Sequence, residues 1–141
     1  LVNTLVKPTK KIPAEAAAIH GITNEMVREY SCWPEVWPMV REAIAGRHVA
    51  IYNADYDARM MKQSHEQNSM RWINPDRTEF HCVMKLYAQF YGEWNYEYDD
   101  WKWQKLGAAA EQCGVISDDA HRAKADAMMA REVLRYMAEA G

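Results

Sequence analysis

His48-Val49-Ala50-Ile51-Tyr52-Asn53-Ala54-Asp55-Tyr56-Asp57 is a compact apolar run that breaks at an asparagine and resumes with acidic residues. Buried parallel strands are near-continuously apolar rather than alternating, so residues 48–52 read as one of them. A helix is expected to follow, from about Asp55 to Asn68, with Asp55 and Asp57 in its first turn. In open α/β sheets ligands gather at the carboxyl ends of strands, which places Asp57 in the default site. The simpler alternative is that both acids merely favour the helix dipole. Taken alone, the stretch leaves both open.

Working outward, strands and helices alternate. Residues 1–6 are rich in Val, Leu and Thr and suggest a strand ended by Lys7-Pro8. Ile12 to Thr23 reads as a turn or short helix closed by Gly21, with Thr23 as the N-cap of another short helix. Pro34 suits the first turn of a helix running to about Ala45 and ended by Gly46. Phe80-His81-Cys82-Val83 is a short strand with a helix after it to about Phe90. Residues 92–101 form a polar-aromatic loop, Trp103 to Cys113 a helix, and Arg122 to Ala140 a long last helix. Strands alternating with helices indicate an α/β fold built on one sheet. No repeat or linker divides the chain, so one domain is expected.

The composition narrows the class. Hydrophobic residues make up 49% of the 141 positions and charged residues 26%, and no run approaches the roughly 18 apolar residues of a membrane helix. Cys32, Cys82 and Cys113 are odd in number and far apart. That pattern favours reduced thiols and a cytoplasmic location over a disulfide framework. A net charge of −3 argues against a protein that coats nucleic acid by charge alone. It leaves room for an enzyme that grips a few nucleotides through bound cations.

The last helix carries a sharper signal. Ala123, Ala127, Ala130, Leu134 and Met137 form an apolar stripe, and Asp126 falls inside it, between Val133 and Met137. Lys124, Arg131, Glu132 and Arg135 take the opposite face. A carboxylate on a core-facing side is unfavourable unless it meets a cation or several donors. Metal ligation meets that need, and so does a buried ion pair with an arginine. His121, near the helix start, could take a proton from water because histidine titrates near neutrality. A lone histidine there is more often a surface or capping residue.

Taken together, His121-Arg122-Ala123-Lys124-Ala125-Asp126, Asn53-Ala54-Asp55-Tyr56-Asp57 and Ala18-Ile19-His20-Gly21-Ile22-Thr23 resemble the motifs of the DnaQ-like (DEDDh) 3′→5′ exonucleases. The likeness runs over essentially the whole chain, including Phe80-His81-Cys82-Val83-Met84-Lys85-Leu86 and Trp103-Gln104-Lys105-Leu106. It implies a ribonuclease-H-like mixed sheet flanked by helices. It also implies two Mg²⁺ or Mn²⁺ ions about 4 Å apart at the scissile phosphate. Asp57 and Asp126 match two of the metal ligands, and His121 matches the general base. His20, Gly21, Ile22 and Asn53 fall where the family binds substrate. The substrate implied is a single-stranded 3′ end of DNA or RNA, released as mononucleotides. That family includes proofreading subunits, so a polymerase or another protein is a candidate partner; no membrane is implied.

One departure stands out. The family draws two further carboxylates from an Asp-x-Glu on its first strand, and no such motif follows an apolar strand here. Residues 1–141 therefore read as an N-terminally incomplete exonuclease domain, without the first strand or strands. Two carboxylates are few for hard cations, which need several anionic oxygens. The competing reading is a non-catalytic module that binds nucleic acid or a partner on a degenerate exonuclease fold. A zinc hydrolase using His81 and Cys82 is weaker, because adjacent ligands rarely reach one tetrahedral ion. The aromatics between Trp94 and Trp103 could stack on bases. Glu93, Glu97, Asp99 and Asp100 nevertheless favour packing of that loop against the domain.

Overall fold

A computed structural model describes residues 2–115 and 123–141. In chain order the elements are α1 (Ala14–His20), α2 (Asn24–Val27), α3 (Trp33–Ile44), β1 (His48–Ile51), α4 (Ala54–Gln67), β2 (Glu79–Cys82), α5 (Val83–Tyr91), β3 (Trp94–Asn95), β4 (Asp100–Trp101), α6 (Leu106–Gln112) and α7 (Ala123–Ala140). The expected α/β architecture is present, with its strands in two small sheets: β1 pairs with β2, and β3 pairs antiparallel with β4.

The boundaries follow local chemistry. Thr23 caps α2 by accepting the Met26 N–H at 3.3 Å, which satisfies one of the orphan donors of a helix start. Pro34 sits in the first turn of α3, and the Glu35 carboxylate reaches back to accept the Cys32 N–H at 3.0 Å. That bond, with help from the Cys32 and Ser31 side chains, holds the Glu35 carboxyl below its ordinary pKa. Gly92, at φ 78°, closes α5 in the left-handed conformation that glycine adopts without penalty.

Contacts divide the chain into two compact units: residues 1–49 with 58–79, and residues 50–57 with 80–141. In the first, His65 is buried against Trp33, Trp37 and Trp72, with ring centroids 4.5–5.6 Å away and steep interplanar angles. The Trp33 indole N–H donates to His65 Nδ1 at 3.1 Å. Val27 and Val36 are buried in the same unit, and Thr78 donates its hydroxyl to the Ile44 carbonyl at 3.0 Å. The second unit is built on Val83, Tyr87, Ala109, Ala110, Met129 and Val133, with Tyr52, Leu106, Leu134 and Met137 packed against them. Burial pushes the Tyr87 phenol up to about 12, and that phenol donates to Gln112 Oε1 at 2.8 Å.

Several expectations need correction. Residues 2–6 form no strand; nearby, Lys7 makes an isolated parallel bridge to Cys32, its N–H donating to the Ser31 carbonyl at 3.0 Å. A strand exists only by pairing, and among the described residues nothing pairs with 2–6. β1 alternates between exposed and half-buried positions instead of being buried throughout, because only one of its faces is covered. The loop over 92–101 contains the β3–β4 hairpin, in which Trp94 faces Trp101 and Asn95 faces Asp100. α6 starts later than expected, at Leu106, because the Gln104 carbonyl accepts the Tyr52 hydroxyl at 2.8 Å instead of entering a helix. On α7 the buried residues are Met129, Ala130 and Val133, whereas Ala123 and Ala127 are exposed.

Candidate active site

Asn53 lies in the turn between β1 and α4, at φ 62°. The left-handed region is tolerated by asparagine better than by other side chains, because its short amide satisfies the backbone locally. The Asn53 carbonyl accepts the Tyr56 N–H at 2.9 Å, and Ala54 is buried, so α4 starts from a fixed point. Its first turn carries Asp55 and Asp57.

These two acids have different surroundings. Asp55 is exposed and pairs with Lys85 Nζ at 2.8 Å. The bond and charge of Lys85 lower its pKa. Asp57 is half-buried, and burial raises its pKa, opposed by a bond to its own backbone N–H. Among the described residues, no cation forms an ion pair with it. A desolvated carboxylate without a counter-charge is an uncompensated cost in the fold, which a bound cation would offset.

Asp126 occupies the first turn of α7 and is half-buried. It precedes Met129, Ala130 and Val133 by three, four and seven positions, so it lies on the packed side of the helix. The stripe is rotated from the expected one, yet Asp126 remains on it. The same core brings in Tyr52, which packs against the cluster containing Met129 and Val133. The end of β1 and the packed face of α7 are thereby tied to one core. Asp57 and Asp126 belong to the same compact unit.

In the other unit, His20 ends α1 and its Nδ1 accepts the Ile22 N–H at 3.0 Å. Gly21, at φ 69°, caps α1 through its N–H to the Ala17 carbonyl at 2.8 Å. His20 and Ile22 are half-buried, and Ile19 is largely exposed. His121 lies outside the described residues. Lys85, 30 positions from Asp55, was not visible as a site residue in the sequence, where no local pattern marks it.

A family model described as an exonuclease, the RNase T class, matches residues 1–134. The chain belongs to this exonuclease family. An uncharacterised exonuclease of Escherichia phage 186 is 40% identical over 147 residues, which covers the whole chain and 74% of the phage protein. A PolC-type DNA polymerase III of Clostridium perfringens is 27% identical over 134 residues; the match covers 95% of the chain and 8% of that protein. The fold is that of Exonuclease X, solved in complex with 5′ overhanging duplex DNA. The TM-score is 0.71 at 22% identity, covering 99% of this chain and 75% of that one. The exonuclease is thus a hydrolase of the DnaQ-like, ribonuclease-H-like group, a divalent-metal-dependent family. Its own residues suit such an ion. Carboxylate oxygens are the hard donors that Mg²⁺ or Mn²⁺ takes. The unpaired, desolvated Asp57 carboxylate is one such donor, fewer than two ions need. No described helix is long and apolar enough to cross a membrane, and all three cysteines are free thiols.

Proposed function

We propose that the exonuclease removes mononucleotides from the 3′ end of a single-stranded DNA or RNA, with Mg²⁺ or Mn²⁺ as cofactor. The observation that carries this reading is Asp57: a half-buried carboxylate with no ion pair among the described residues, at the carboxyl end of β1 in an exonuclease fold. Asp57 and Asp126 would hold the metal, which when bound would acidify water and offset charge developing on the phosphate. His121 accepts the proton of the attacking water and must be neutral to do so. Asn53, in the same compact unit as Asp57, positions the terminal nucleotide, and His20, Gly21 and Ile22 keep the substrate-binding role that the family resemblance implies. Exonuclease X is solved with DNA and the Clostridium perfringens relative is a DNA polymerase III, which makes DNA the first substrate to test and a polymerase the first partner.

The test uses a single-stranded oligonucleotide labelled at its 5′ end, incubated with Mg²⁺, with Mn²⁺, or with EDTA. A ladder of labelled products shortening from the 3′ end, abolished by EDTA, is the expected result. Immediate release of the label as a mononucleotide, or an unchanged rate in EDTA, would overturn the proposal.

A further inference from the structure

The β3–β4 hairpin leaves aromatic surface where packing was expected. Tyr96 is 90% exposed, Tyr98 73% and Trp103 53%. A cavity of about 500 Å³ opens beside them, lined by Asn95, Tyr98, Asp100, Trp101, Lys102 and Trp103. That is the size of a small-ligand site.

This cavity has a rigid frame. Trp94 and Trp101 face each other across the two strands, edge to face, with centroids 5.0 Å apart. Asn95 Oδ1 accepts the Glu97 N–H at 3.0 Å, and Asp99 turns the chain at φ 50°. The Lys102 N–H donates to the Glu93 carbonyl at 2.8 Å. Tyr98 and Trp103 are therefore presented by a braced turn, with little ordering left to do on binding.

Its location ties it to the chemistry. Lys85 Nζ lies 2.8 Å from Asp55 and 6.0 Å from the centre of the Trp103 ring. One lysine thus links Trp103 to the first turn of α4, the turn that carries Asp57. Of the loop acids that argued against nucleic acid, Glu93 is paired with Lys102 at 2.6 Å, whereas Glu97, Asp99 and Asp100 stay beside the rings and repel phosphate. What remains at the rings suits a neutral, flat, aromatic group better than a phosphate. Every nucleobase offers such a face.

We propose that Tyr98 and Trp103 form a stacking subsite for one unpaired base of the substrate strand, at a position other than the 3′-terminal nucleotide. The proposal rests on the nuclease reading above and adds to it a site that positions the strand. Because stacking ignores base identity, the subsite favours single-stranded over duplex ends without sequence preference.

The experiment measures binding of an oligothymidylate of about ten nucleotides in an Asp57→Asn background, so that cleavage does not interfere. Tyr98→Ala with Trp103→Ala should weaken affinity roughly 5- to 150-fold, the range for losing one stacked base, while Tyr98→Phe with Trp103→Phe should retain it. Single abasic positions are then walked through the oligonucleotide on the protein with Tyr98 and Trp103 intact. One internal abasic position should weaken binding as much as the double alanine variant does, and the two losses should not add. Fold loss in the alanine variant leaves the abasic walk intact as a test. Equal affinity for every internal abasic position would overturn the subsite, and so would additive losses; a surface reserved for a protein partner would give the first outcome. An exonuclease that binds in this pattern but never cleaves, with Asp57 restored, would sink the nuclease reading and leave the subsite standing.

Discussion

At the residue scale, Asp57 has a pH signature with a definite sign. Burial raises its pKa above the ordinary 3.8, so the folded chain binds that proton more readily than the unfolded chain. Ionised Asp57 therefore opposes folding at neutral pH. That opposition is relieved as pH falls through the raised value towards 3.8. Asp57→Asn should melt at the same or a higher temperature than the parent at pH 7, with the gap narrowing near pH 4; a clear drop in Tm at pH 7 would contradict the assignment. The same substitution should cut nuclease turnover by about 100-fold or more, since a ligated metal supplies several kcal/mol to the transition state. His121→Ala should lower turnover by roughly 10²–10⁴-fold with little change in strand affinity, measured by single-turnover rates beside equilibrium binding. A loss below about threefold would make His121 structural. The carboxylate at the end of a strand was legible in the sequence because spacing alone puts it there. The Lys85–Asp55 pair was not, because its partners lie 30 positions apart and only the fold joins them.

Elements were legible where their signals were local. Caps and breakers placed α3, α4 and α5 within a residue or two, because Pro34, Asn53 and Gly92 each act on their own backbone. Pairing is not local, and there the reading failed: residues 2–6 have strand composition but no partner among the described residues, while the polar-aromatic loop found one in itself. The β1–α4 junction offers a direct check. Asn53 sits at φ 62°, so Asn53→Gly should leave stability within a few tenths of a kcal/mol. Asn53→Val should cost about 1–2 kcal/mol, because a β-branched residue strains there. Denaturant midpoints at constant slope would measure both; equal midpoints for the two variants would refute the strain argument. Tyr52→Phe removes the bond to the Gln104 carbonyl and should cost about 1 kcal/mol, without altering metal dependence.

On the scale of the whole molecule, three short motifs in order identified the family, although none would have done so alone. Of the four carboxylates that the resemblance implies, residues 1–141 carry Asp57 and Asp126 but no Asp-x-Glu. A chain that also supplies an Asp-x-Glu strand ahead of residue 1 should therefore degrade single strands much faster than the 141-residue chain, both assayed in saturating Mg²⁺ with EDTA controls. Equal rates would show that the ligands have been misassigned, and inactivity in both would favour the non-catalytic binding module. The hairpin supplies a way to watch the molecule while such experiments run. Two indoles edge to face at 5.0 Å, as Trp94 and Trp101 are, share their electronic excitation, so light absorbed by one is delocalised over both. Such a dimer absorbs left and right circularly polarised light unequally, as a paired positive and negative band separate from the signal of the helices. The Trp33–Trp37 and Trp37–Trp72 pairs, at 5.5 and 5.4 Å, add couplets of their own, so the part that should collapse when the β3–β4 turn opens is the difference between the parent and Trp94→Phe spectra.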